Sequence, residues 1–373
     1  MNHRKPAIVV GCATDRLGGD ESSLDELSLL AETAGYSTAG RLIQKRSRID
    51  PAWYIGSGGA RKVRDLARGK EAEAVIFDFE LSPVQLRNLE DLIGRRIYSR
   101  TEIILDIFAQ RAQTREAKLQ VELATLLYSL PRLRHMWPHL NRTAGGIGTR
   151  GPGEKQLEMD RRRLSTRVGR IKKELVAVRK HRRVIRKNRR YSNRIALVGY
   201  TNAGKSSLLN RLSRSSLFTG GRLFATLDPA TREVWLGEGT KALATDTVGF
   251  IRRLPHTLIA SFHSTLEEVK DADLLLHVVD VSAPGVRERI DAVNEVLEEI
   301  DAGGVDTLYV FNKSDLLADR SVRESFLRGY PGGALVSSRT GEGIAELRAG
   351  LLRYFRSLRA AGSPSAAGQP VYS

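Results

Sequence analysis

Residues 199–206 leave this chain few ways to fold. Gly199-Tyr200-Thr201-Asn202-Ala203-Gly204-Lys205-Ser206 is a G-x4-G-K-S run, with an apolar stretch, Ile195–Val198, before it and an amphipathic one, Ser207–Leu212, after it. Strand, glycine-rich turn and helix, in that order, let backbone N–H groups and a helix N-terminus cradle phosphates. The surrounding sequence keeps the same alternation. Ala242–Thr245, Leu274–Val281, Thr307–Phe311 and Ala334–Val336 read as strands, and Gly285–Ile300 and Gly343–Phe355 as helices. The pattern predicts a mostly parallel, doubly wound α/β sheet over residues 191–358, followed by a disordered tail at 359–373.

A second α/β unit is expected at residues 1–112. Ala7–Gly11 and Ala74–Phe79 read as strands, Arg41–Ile43 and Arg96–Tyr98 as further ones, and Ser22–Ala34 and Pro83–Ile93 as helices. Ser82-Pro83 supplies an N-cap and first-turn pair. Between the two units the period changes. Leu119, Leu123, Leu126 and Leu130 form one coiled-coil seam, and Leu157, Leu164, Val168, Ile171, Leu175, Val178 and Ile185 form a second. An antiparallel helical hairpin over 113–190, with a glycine-rich tip at 141–154, follows.

Charge has an address in this sequence. The formal net charge is +17, yet residues 191–373 hold as many acidic as basic residues, while 161–190 hold 15 Lys or Arg against Glu174 alone. Such a block is a contact surface for a polyanion, because phosphates neutralised by it release counterions. A solvated helix face is the bland alternative. The lone cysteine, Cys12, excludes an intramolecular disulfide framework and a cysteine-based zinc site. No apolar run approaches the roughly 18 residues of a spanning helix, since His277 and Asp280 interrupt the longest. The N-terminus lacks a signal-peptide pattern. A cytoplasmic, monomeric protein without a membrane span is expected, peripheral membrane association being left open.

Three further motifs follow the phosphate loop. Asp246-Thr247-Val248-Gly249 ends a strand, where the Asp holds Mg²⁺ through water and the Gly offers its N–H to a γ-phosphate. Asn312-Lys313-Ser314-Asp315 ends another. There Asp315 accepts the ring N–H and the exocyclic amine of guanine, Asn312 braces the loops, and the Lys313 stem packs over the base. Ser337-Ser338-Arg339 completes the base pocket. Lys205 reaches the β- and γ-phosphates and Ser206 ligates Mg²⁺.

This order of motifs resembles the translation-factor-related P-loop GTPases. The resemblance makes Leu223-Phe224-Ala225-Thr226-Leu227-Asp228-Pro229 switch I, with Thr226 as the second Mg²⁺ hydroxyl and Thr231 as its competitor. It then narrows to the HflX family of bacterial GTPases. Phe224–Pro229, Asp246–Phe250, Asn312–Asp315, Ser82–Glu90 and above all Gly145–Glu158 carry it, and it spans roughly residues 5–358. Ser338 stands where that family usually has Ala. The implied function is a GTP-hydrolysing protein, GTP to GDP and phosphate, that binds the large (50S) ribosomal subunit and its RNA and splits or rescues stalled ribosomes under stress. Lys205, Thr226 and Gly249 are the expected catalytic residues, and Phe224–Asp228 and Ser207 complete the nucleotide shell.

Phe250 occupies the place of the water-orienting Gln of Ras-type enzymes, so slow intrinsic hydrolysis, accelerated by the ribosome, is expected. By analogy with potassium-activated GTPases, Asn202 either helps bind K⁺ or braces its loop. Gly56–Gly59 make either a tight turn or a second anion site, even for ATP; His135, Trp137 and His139 either stack on RNA or pack at a helix end. The competing function is an RNA-binding or remodelling protein whose G domain senses nucleotide. A GTPase acting on a protein or tRNA partner is the third.

Overall fold

The computed structural model describes residues 4–13, 21–132, 152–187, 193–213, 223–317 and 319–362. The chain divides into two compact units. The first takes residues 1–187 together with 221–228 and 253–264, and the second takes the rest.

In the first unit, β1 (Lys5–Ala13), β2 (Tyr36–Lys45), β3 (Ala74–Phe77) and β4 (Arg96–Ser99) form an all-parallel sheet in the order β2-β1-β3-β4. Helices α1 (Glu21–Thr33), α2 (Gly56–Gly69) and α3 (Pro83–Ile93) connect the strands, and α4 (Arg100–Arg111) follows β4. Parallel strands covered on both faces read as continuous apolar runs, which is why Ala7–Val10 and Val75–Phe77 are legible in the sequence and buried in the fold. Ser82 caps α3 as expected, in a reciprocal capping box: its hydroxyl accepts the Gln85 N–H at 3.2 Å while its own N–H donates to Gln85 Oε1 at 2.9 Å. Helix α2 starts at Gly56, so the 56–59 glycines open the helix, and Arg46 Nη1 donates to the Ile55 carbonyl at 3.0 Å. Buried Arg100 pairs with Glu26 and with Asp78, the latter at 2.7 Å.

The hairpin helices are α5 (Arg115–Ser129) and α6 (Pro152–Lys187). Leu119, Leu123, Val168, Ile171 and Leu175 make their shared core, with Leu126 and Leu130 half-buried beside it. Arg115 pairs with Glu174 at 3.1 Å and Glu122 with Arg167 at 2.6 Å, so the helices run antiparallel. Pro152 opens α6, so residues 152–154 of the expected tip are helical, a position that suits proline because its missing N–H would have no intrahelical partner. The remainder of the tip, with His135, Trp137 and His139, lies outside the described residues.

The second unit is built on β5 (Asn193–Val198), β6 (Ala230–Gly237), β7 (Thr240–Asp246), β8 (Leu274–Asp280), β9 (Thr307–Asn312) and β10 (Ala334–Leu335). They form one sheet in the order β10-β9-β8-β5-β7-β6, parallel except for the edge strand β6. Helix α7 (Lys205–Ser213) follows the phosphate loop. The short α8 (His256–Ser261) belongs with the first unit, and α9 (His263–Lys270) leads back into β8. Helices α10 (Val286–Glu299), α11 (Arg320–Gly329) and α12 (Ile344–Gly362) complete the layers. Leu197, Leu208, Leu276, Val310, Leu351 and Phe355 anchor the core. Helix α12 continues to Gly362, so 359–362 are helical rather than tail. No helix among the described residues is long and apolar enough to cross a membrane.

Candidate nucleotide site

The loop after β5 closes on itself around Lys205. Gly199 has φ +147°, and a Cβ there would lie 2.2 Å from the carbonyl oxygen of Val278 on the neighbouring strand. Only a residue without a side chain fits this approach. Lys205 Nζ donates to the carbonyls of Gly199 at 3.0 Å and Tyr200 at 3.1 Å. Its ammonium is buried, and burial lowers its pKa to about 8 against the opposing pull of Asp246. Ala203 is buried, and Asn202 is exposed with a positive φ of 62°.

Segment 246–250 lies against this loop. Ser206 Oγ donates to Asp246 Oδ2 at 2.5 Å, and Asp246 is fully buried. Thr247 Oγ1 donates to the Leu197 carbonyl at 2.7 Å, which pins the segment to β5. The Thr201 N–H donates to the Phe250 carbonyl at 2.7 Å, and the Phe250 N–H to the Gly199 carbonyl at 3.1 Å, a one-residue parallel ladder. Gly249 sits inside it: a Cβ there would be 2.9 Å from Thr201 Cα and 3.1 Å from Lys205 Nζ. Val248 and Phe250 are buried. Ser206 and Asp246 together offer oxygen donors at the strand end, a chemistry that fits Mg²⁺.

The third and fourth motifs are tied to the first by Asn312. Its Nδ2 donates to the Ala203 carbonyl at 2.8 Å, and its Oδ1 accepts the Ser338 N–H at 3.0 Å and the Ser338 hydroxyl at 2.9 Å. Lys313, in a left-handed conformation, reaches Asp280 at 2.6 Å. Ser314 is buried. Asp315 accepts the Ser337 hydroxyl at 2.6 Å and pairs with Arg339 at 2.6 Å, and these two neighbours hold its carboxyl below the usual carboxylate range.

The second unit thus assembles residues 199–207, 246–249, 312–315 and 337–339. Phe224, Ala225, Thr226, Leu227 and Asp228 fold with the first unit instead. There the Phe224 ring meets Phe108 edge-on at 4.8 Å. Asp228 accepts the N–H groups of Gln113 at 3.1 Å and Thr114 at 3.3 Å, together with the Thr114 hydroxyl, at the start of α5. Thr231, the alternative Mg²⁺ hydroxyl, lies on β6 with its hydroxyl 3.0 Å from that of Thr245. Sequence reasoning missed Arg211, whose guanidinium donates to the carbonyls of Ser338 at 3.1 Å and Arg339 at 2.6 Å. It also missed His277 and Asp280 as site neighbours. Their signal was present, since a His and an Asp in an otherwise apolar central strand need a polar reason.

Comparisons with known proteins give the chain's family. Residues 21–109 match the family described as GTP-binding GTPase N-terminal, 111–189 the GTP-binding GTPase middle region, and 194–313 the 50S ribosome-binding GTPase family. The chain is 47% identical over 344 residues to GTPase HflX of Lacrimispora saccharolytica, covering 91% of this chain and 80% of that one. The chain belongs to the HflX family of GTPases. GTPase HflX of Escherichia coli is 45% identical over 331 residues, covering 88% of this chain and 78% of its own length. The fold is similar to that of SsGBP, solved as a GDP complex, with a TM-score of 0.51 and 23% identity over 95% of this chain and 99% of that one. As an HflX GTPase, the chain hydrolyses GTP.

Proposed function

We propose that this HflX GTPase binds the large ribosomal subunit through its basic hairpin and, in its GTP state, splits or rescues stalled ribosomes. The observation that carries this reading is on α6. Arg161, Lys172, Lys173 and Lys180 are exposed and make no ion pair among the described residues, whereas Arg162, Arg163, Arg167 and Arg170 are each paired with an acid. Exposed cations with no acid partner among the described residues are suited to RNA phosphates, which they would meet with counterion release.

In the second unit, Lys205 and the N–H groups at the start of α7, Gly204–Ser207, would hold the β- and γ-phosphates, the Gly249 N–H would face the γ-phosphate, and Asp315 with the Ser337–Arg339 loop would read guanine. Ser206 would ligate Mg²⁺ and Asp246 would hold it through water; the ion's chemistry there would be to offset negative charge on the phosphate oxygens. Phe250 is buried and its phenyl ring offers no hydrogen bond to an attacking water. Intrinsic hydrolysis is therefore slow, and the ribosome supplies the missing stabilisation. Asn202 is exposed in the loop, where it is free to contribute to a K⁺ site.

The deciding experiment is co-sedimentation with 50S subunits in a non-hydrolysable GTP analogue and in GDP, for the full chain and for a variant lacking residues 141–155, paired with hydrolysis measured with 50S subunits and with free RNA. Binding that favours the GTP analogue, needs the tip and accelerates hydrolysis well above free RNA is expected. Equal stimulation by free RNA would point to the RNA-remodelling alternative and sink the ribosomal reading.

A further inference from the structure

Asp315 has two carboxylate oxygens, and both are engaged. Oδ1 accepts the Ser337 hydroxyl and Oδ2 pairs with Arg339 Nη2, each at 2.6 Å. The chemistry of that second partner bears on the base this carboxylate reads. Guanine presents a ring N–H and an exocyclic amine on one carbon, an N–C–N fork of donors. Arginine presents the same fork with a full positive charge, and it is the side chain whose planar geometry best matches a carboxylate. A 2.6 Å ion pair on the outer oxygen sets the guanidinium in competition with a base's donors for that edge.

The surroundings let the side chain move while its backbone stays. Arg211 holds the carbonyls of Ser338 and Arg339, and Ser338 is fixed a second time by Asn312. The Arg339 side chain itself is 76% exposed, whereas that of Asp315 is 10% exposed. The guanidinium therefore lies on the solvent side of the carboxylate and can rotate away without unmaking the loop.

We propose that Arg339 is an internal competitor for guanine: its guanidinium occupies the edge of Asp315 that the base requires, and nucleotide binding displaces it. The pair thereby weakens guanine-nucleotide affinity and slows association, which keeps the site exchangeable. This rests on the reading of Asp315 as the guanine acceptor.

The test is stopped-flow and equilibrium binding of a fluorescent GDP to the full chain, for wild type, R339A and R339K. Ion pairs at exposed sites change an equilibrium constant by up to about fivefold, so R339A is expected to bind GDP about two- to fivefold more tightly. The gain should appear in the association rate and fade as salt near 0.5 M screens the pair in wild type. R339K, which keeps a point charge but lacks the fork, should fall between. Weaker GDP binding by R339A through faster dissociation would make Arg339 a nucleotide contact and overturn the proposal, as would an unchanged affinity. D315A distinguishes loss of the ion pair from loss of the base acceptor. If it keeps the wild-type preference for GDP over ADP, the base-site reading itself fails, whatever R339A does.

Discussion

Burial of His277 ties the second unit's stability to pH. It sits in the middle of β8, only 1% exposed, with its ring 5.0 Å from that of Tyr309. Burial, reinforced by the charge on Lys205, pushes its imidazole down to about 3 from an ordinary 6.5. The unfolded chain therefore takes up a proton below about pH 6.5 that the folded chain refuses until about pH 3. Stability is full above the upper value and falls as the pH drops through the window, by up to about 1.4 kcal/mol per unit. At about pH 5 the loss attributable to this one residue is about 2 kcal/mol, a large part of an ordinary folding free energy. His277→Phe keeps a ring against Tyr309 and removes the titration. Urea unfolding followed by circular dichroism, at neutral pH and at about pH 5, should show the variant losing about 2 kcal/mol less than wild type over that interval. Carboxylates elsewhere contribute equally to both proteins, so the difference isolates the imidazole. Parallel pH profiles would show that the buried imidazole does not carry the effect, as would an imidazole NMR signal for His277 that titrates near 6.5.

Three other outcomes are expected. Asp228→Ala removes the acceptor of two N–H groups and a hydroxyl at the start of α5, and should destabilise the first unit by about 1 kcal/mol, seen in thermal melting and in faster amide exchange in the first turn of α5. Gly199→Ala drives a methyl into the Val278 carbonyl; a cost of about 3 kcal/mol and loss of measurable GDP binding should follow, read by urea titration and calorimetry. Replacing both Lys172 and Lys173 with Ala should flatten the dependence of log affinity for ribosomes on log salt by about 2, one for each phosphate that is no longer neutralised. An unchanged slope would mean that these two lysines face solvent only.

Most of the framework can be read from residues because local and tertiary signals agree. Helix α3 has its expected bounds, Pro83–Ile93, since Ser82, Pro83 and Gln85 encode the start and Gly94 the left-handed stop. Strand β2 reads in the sequence only as Arg41–Ile43, but pairs over Tyr36–Lys45. Its residues are almost all half-buried, so the sequence lacks both the alternation and the apolar run that mark strands. Strand β6 and helix α4 escape sequence reasoning for a related cause. The first is an edge strand with an exposed Trp235, and the second opens on a buried Arg100 that only the distant acids Glu26 and Asp78 make acceptable. The site divides in the same way. Glycine spacing and strand-end motifs announce the candidate phosphate and base loops, whereas Arg211 and the Asp280 partner of Lys313 depend on which loops meet in space.

Asn312 ties those loops together, with one amide group on both the phosphate loop and the Ser337–Arg339 turn. On the proposed reading of these loops, the two ends of a nucleotide would meet recognition groups whose separation is already set. Once the phosphates were seated, the base would be delivered to its loop at a high effective concentration, with little ordering entropy left to lose. An Asn312 variant would be expected to bind phosphate and base as two loosely related events, so that the affinity for the whole nucleotide falls toward what its separate fragments could achieve.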